Sequence, residues 1–212
     1  MTKSVLATAI LLSLAACGEK PADTAPAADT PAAAPAEAAA APEAAKPGFK
    51  KEFELNGIRF VVEATNEGSM NNLTITPSGL SEVNDVISRE IDGSVTNAEI
   101  GDINADGSPE IYVWVNSAGS GSYATPIGYA SNNNKSMSEI YFPPISEDAV
   151  NSKGYMGHDE FAVVEGVVAQ RFPIYKDGDT NAQPSGKMRQ LQYKLTPGEA
   201  GWVMKVDRVE EF

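Results

Sequence analysis

The chain has 212 residues, 42% of them hydrophobic and 21% charged, with a formal net charge of −13, one cysteine and one histidine. So acidic a chain repels a phosphate backbone, which argues against a nucleic-acid partner. With one Cys and one His, neither an internal disulfide nor a Cys/His zinc site can be assembled.

At the amino end, Lys3 precedes an apolar run, Val5 to Leu14, too short to span a bilayer as a helix, as in an export signal. The run stops at Leu14-Ala15-Ala16-Cys17-Gly18, which resembles the lipobox of bacterial lipoproteins. That resemblance implies a signal peptide over residues 1–17, with Cys17 lipidated as the first mature residue. Acyl chains contribute about 0.8 kcal/mol per buried CH₂, so several together make a durable membrane anchor. Gly18 stands where, in Gram-negative lipoproteins, an aspartate favours the inner membrane, so the expected location is the periplasmic space, anchored to the outer membrane. Residues 18–47 are nearly all Ala and Pro with scattered Asp, Glu and Thr, a disordered tether without core-forming residues. Stretched in PPII-like form, it reaches roughly 80 to 90 Å.

From residue 48 to 212 the pattern is that of one domain made of short β-rich runs. Phe49 to Leu55 and Ile58 to Ala64 flank Asn56-Gly57, a type I′ hairpin signal. Further strands are expected at Leu73 to Thr76, Val95 to Ile100, Glu110 to Asn116, Tyr123 to Ala130, Ser138 to Phe142, Phe161 to Tyr175, Met188 to Leu195 and Trp202 to Val209. Ile111, Val113 and Val115 share one face, as do Leu191, Tyr193 and Leu195, and Trp202, Met204 and Val206, which predicts one buried face for each strand. Gly166 or Pro173 is expected to interrupt the long run that contains both. Short helices are expected at residues 80–91 and 146–156. The expected fold is all-β, an antiparallel sandwich of about eight to ten strands.

Catalytic equipment is sparse. His158 has no thiol partner and no Ser in a Gly-x-Ser-x-Gly elbow, so it reads as a turn or strand-start residue. Carboxylate pairs such as Glu210-Glu211 and Asp177/Asp179 read as solvated loop charges, although a glycan hydrolase built on carboxylates is a rival reading. No enzymatic activity is expected. In Asp102-Ile103-Asn104-Ala105-Asp106-Gly107-Ser108-Pro109-Glu110, oxygen ligands alternate before a glycine, as in calcium loops. The position of the distal EF-hand glutamate holds Val113, so the spacing is closer to the DxNxDGxxE loops of FG-GAP-type modules. Two readings stay open: a calcium site at Asp102, Asn104, Asp106 and Glu110, which would suit an adhesion or assembly module, or a metal-free turn bonded to its own backbone.

A small-residue loop, Asn116-Ser117-Ala118-Gly119-Ser120-Gly121-Ser122-Tyr123, directly follows the most apolar strand. Together with Asp102 to Glu110, Tyr155 to Phe161 and Arg189 to Tyr193, it resembles the periplasmic inhibitors of invertebrate-type (I-type) lysozyme, over most of residues 50 to 207. The family's Ser-Gly-x-Tyr element maps onto Ser120, Gly121 and Tyr123. The resemblance implies a β-sandwich whose loop plugs the lysozyme cleft, with Ser120 and Tyr123 as central contacts and Gly119, Gly121 and Ser122 around them. It implies I-type lysozyme as partner, no cofactor, and a homodimer that an uncovered sheet edge would permit. Gly119 and Gly121 are expected to adopt φ angles closed to other residues. Tyr112 and Trp114 are expected to hold the loop in its bound shape beforehand.

Overall fold

The computed structural model describes residues 48–212. The expected signal peptide, the expected lipidation site at Cys17 and the expected tether lie outside the described residues.

The domain is all-β, with twelve strands in two sheets. Strands β1 (Phe49–Leu55), β2 (Ile58–Ala64), β3 (Met70–Ser78) and β4 (Ile87–Asp92) form an antiparallel meander. Its first turn is the expected one: Asn56 and Gly57 have φ of 52° and 81°, and Leu55 faces Ile58. The second sheet holds β5 (Ser94–Gly101), β6 (Glu110–Asn116), β7 (Ala124–Asn132), β8 (Ser136–Tyr141), β9 (Glu160–Val164), β10 (Val167–Pro173), β11 (Met188–Pro197) and β12 (Trp202–Glu211). Their spatial order is β5-β6-β7-β8-β12-β11-β10-β9. Every pairing is antiparallel except β8 with β12, where Trp202 faces Ile140.

Two cores result. One lies between the four-stranded sheet and the β5–β7 half of the larger sheet, where Phe60, Val62 and Ile75 meet Ile111, Val113 and Val115. The other fills the concave side of the larger sheet, which curls until its edges β5 and β9 meet; Tyr112 and Trp114 pack there against Phe172, Leu191 and Met204. The sandwich is thus present, and its larger layer approaches a barrel. β6 is buried on both faces, against the expectation of one, because it separates the two cores. On β12 only Met204 of the expected trio is fully buried, and Val206 is exposed. A register shift at Gln192/Tyr193 accompanies this departure.

The structure corrects both helix expectations. Residues 87–92 are β4, pairing with β3, while Ser81 and Val83 give their N–H groups to the carbonyls of Asn134 and Lys135. Tertiary hydrogen bonds there replace the local i→i−4 ladder. Between 146 and 156 only a 3₁₀ turn, Ile145–Glu147, forms; Asp148 then takes the N–H groups of Val150 and Asn151 on its side chain. The strand count exceeds the expected range partly because β4 replaces a helix. Another strand arises because the 161–175 run breaks, as expected, at Gly166 (φ 79°), yielding β9 and β10.

Candidate functional site

β6 and β7 pair as far as Asn116 and Ala124, leaving residues 117–123 as the connecting loop. Its neck is closed twice: Ser117 N–H donates to the Tyr123 carbonyl at 2.9 Å, and Tyr123 N–H to Ser117 Oγ at 3.1 Å. A tight turn follows, with Ser122 N–H on the Gly119 carbonyl at 3.0 Å and Asn116 Nδ2 on Ser122 Oγ at 3.2 Å. Ala118, Gly119 and Ser120 are exposed, Tyr123 is 44% exposed, and Gly121 is buried. Ser120 and Tyr123 therefore reach solvent, as a contact surface requires.

The glycines act differently from the expectation. The left-handed residue of the loop is Ser122, at φ 42°, whereas Gly119 and Gly121 avoid positive φ. Gly121 acts through proximity: a Cβ there would stand 2.3 Å from Tyr123 Cε2, so the missing side chain lets the ring lie over the backbone where any other residue would displace it. Around Gly119 the space is open.

The segment Tyr155 to Asp159 braces this loop from outside. His158 N–H donates to the Gly121 carbonyl at 2.7 Å, and Gly157 (φ 84°) passes so near that a Cβ would lie 2.1 Å from that oxygen. Asp159, 2% exposed, accepts Ala124 N–H at 2.9 Å on Oδ1, and Tyr155 O–H at 3.0 Å and Gln170 Nε2 at 2.7 Å on Oδ2. Tyr193 O–H continues the chain to Gln170 Oε1 at 2.6 Å. Burial pushes the Asp159 carboxyl above its ordinary range, and the donated hydrogen bonds oppose this. Tyr155 meets Tyr123 edge to face at 5.7 Å and Phe172 at 4.9 Å, so the exposed ring rests on a core ring. Beside Tyr123 lies an open cleft of about 530 Å³, walled by Phe142, Pro144, Tyr155, Phe161 and Tyr193. Tyr112 and Trp114 stack at 5.8 Å within the second core, and Trp114 stacks on Phe161 at 5.3 Å, anchoring the strand that feeds the loop. His158 sits at a bend before β9 with φ 54°, its Nε2 2.5 Å from Asn181 Oδ1.

At the other end of β6, the structure brings carboxylate oxygens of Asp102, Asp106 and Glu110 within 4.8 Å of one another. Asp102 accepts the N–H groups of Asp106 and Gly107, and Asn104 bonds to Asp106. Glu110 is 1% exposed and takes Ile103 N–H at 2.9 Å. Burial, the largest cause, and the charges of Asp102 and Asp106 push its pKa up to about 8. Glu210 and Glu211 lie on β12 and not in a loop; Glu211 pairs with the largely buried Arg189 and Glu210 with the exposed Arg208. Sequence reasoning missed Asp159 as a loop residue, because its partner Ala124 is 35 positions away.

Fold and site together define a class: an all-β domain that presents a thin, hydroxyl-bearing loop held from behind by its own buried carboxylate. Residues 68–152 match the family model described as periplasmic lysozyme inhibitor of I-type lysozyme. The matched segment runs from the start of β3 past the 117–123 loop and ends before the brace. The resemblance read in the sequence is therefore shown over that segment, and the family is one of periplasmic enzyme inhibitors. No match was found among curated proteins, and none among solved structures.

Proposed function

We propose that this chain inhibits I-type lysozyme by inserting the 117–123 loop into the enzyme's sugar-binding cleft. One observation carries the reading: within the family-matched segment, Ser120 and Tyr123 are exposed on a loop whose neck and flank are hydrogen-bonded in place. A glycosidase keeps two carboxyl groups beside an open sugar site. Hydroxyl donors on a narrow loop bond those carboxyls and offer no bond to cleave. Tyr123 supplies a large, rigid contact, and the pinned loop loses little entropy on docking. The acidic domain steers a cationic enzyme towards it.

In the same proposal Cys17 carries the lipid, the outer membrane is the anchoring surface, and the tether lets the domain meet enzyme that has entered the periplasm. A homodimer would form along an open edge of the four-stranded sheet, β1 or β4, and sedimentation of the chain tests it. The full chain is to be assayed against lysozymes of several classes. Loss of I-type activity in proportion to added chain is the expected result, and full enzyme activity at excess chain refutes it. Calcium at Asp102, Asn104, Asp106 and Glu110 is a separate proposal resting on the convergence of three of those side chains. A Ca²⁺ titration that leaves the melting temperature and the amide signals of this loop unmoved removes it.

A further inference from the structure

The geometry points to Asp159 as the positioning residue of the inhibitory loop: one buried carboxylate fixes both the backbone that follows Tyr123 and the ring on which Tyr123 rests. This inference rests on the reading of the 117–123 loop as the plug. Its Oδ1 holds Ala124 N–H, the first strand residue after the loop, and its Oδ2 holds the hydroxyl of Tyr155, whose ring edge supports Tyr123. The loop alone has little to hold its far side: Ala118, Gly119 and Ser120 are exposed, and a side chain at Gly119 would meet nothing within 4 Å.

The neighbouring residues extend the clamp. His158 donates its backbone N–H to Gly121, and the absence of a Cβ at Gly157 allows the two backbones to approach. Three successive residues, Gly157, His158 and Asp159, thus engage Gly121, Tyr123 and Ala124 in a single strip of contact. Gln170 and Tyr193, from β10 and β11, hold the carboxylate in turn, so the rigid larger sheet sets the loop's direction. A carboxylate that acts this way touches no lysozyme atom; it lowers the disorder that docking would otherwise remove.

The test uses the full chain and four variants: Asp159→Ala, Asp159→Asn, Tyr155→Phe and the double variant Ser120→Ala/Tyr123→Ala. Inhibition of an I-type lysozyme and the hydrogen-exchange rate of the Ala124 amide are both measured. Asp159→Ala is expected to weaken inhibition at least tenfold and to speed Ala124 exchange at least tenfold, while Asp159→Asn, whose carbonyl oxygen still accepts from Ala124 but whose NH₂ no longer accepts from Tyr155 and Gln170, recovers part of both. A folded Asp159→Ala that inhibits like wild type while the double variant does not overturns the inference, as does weakened inhibition with Ala124 exchange unmoved. Should Asp159→Ala not fold, Tyr155→Phe decides: faster Ala124 exchange with weaker inhibition supports the role, and no change in either overturns it. A double variant that inhibits at wild-type strength instead overturns the plug reading itself.

Discussion

Glu99 on β5 accepts the backbone N–H of Val163 on β9 at 3.0 Å, joining the two edges of the curled eight-stranded sheet through a side chain. The same oxygen accepts Trp114 Nε1 at 2.7 Å, so the closure is tied to the core strand β6. Two edges that would otherwise offer unpaired backbone groups are thereby kept together. Replacing Glu99 with Ala leaves both donors without this partner, and each such loss costs about 1–3 kcal/mol. Urea unfolding is expected to show lower stability, with Trp114 emission shifted to longer wavelength in the folded protein.

Ser120 and Tyr123 are exposed on the loop rather than buried in either core. The double replacement by Ala is expected to leave the domain folded, at a cost of about 0.5–1.5 kcal/mol for the lost ring contact of Tyr123 with Tyr155. Inhibition, in contrast, is expected to fall a hundredfold or more, as for interface anchors worth 2 kcal/mol or more each, on the order of hot-spot values. Titration of lysozyme activity against each variant checks both expectations alongside thermal melts.

Two glycines near the same loop separate close approach from mere smallness. Gly157→Ala places a Cβ 2.1 Å from the Gly121 carbonyl oxygen at a residue with φ 84°, and is expected to cost about 1–3 kcal/mol and weaken inhibition. Gly119→Ala meets nothing within 4 Å and avoids positive φ, so its stability is expected to match wild type. Denaturant midpoints of the two variants decide this.

Glu110 gives the domain a pH dependence of defined sign. Folded, its buried carboxyl keeps a proton up to about 8, whereas the ordinary value is 4.5. Between these values the unfolded chain binds fewer protons than the folded one, so stability is whole below 4.5 and falls as pH rises towards 8. The loss is on the order of a few kcal/mol. Glu110→Gln carries no such proton, and the difference between wild-type and variant stability, measured by denaturation from pH 4 to 9, is expected to follow that curve.

Much of the fold is legible in the residues. Alternation located β6 and β11, Asn56-Gly57 specified its own turn between β1 and β2, and Gly166 its own break. Residues 80–91 misled, because Ser81 and Val83 bond to the distant carbonyls of Asn134 and Lys135, and a segment's own pattern carries no record of such partners. For the candidate site, the small-residue loop and its Ser-Gly-x-Tyr element stood out locally, but that a Cβ at Gly121 would displace the Tyr123 ring follows from where that ring lies, which backbone rules alone did not supply.

By itself the sequence determined what is local or additive: an acidic chain, an all-β pattern of about ten short strands, one I′ turn, and a thin loop bearing Ser120 and Tyr123. Only the tertiary structure decided that β6 lies between two cores, that Glu99 joins the sheet edges, and that Asp159 meets Ala124. The physical reason is that strand periodicity and turn preference act within a few residues. Burial on a second face and hydrogen bonds between distant residues exist only after the chain has closed on itself.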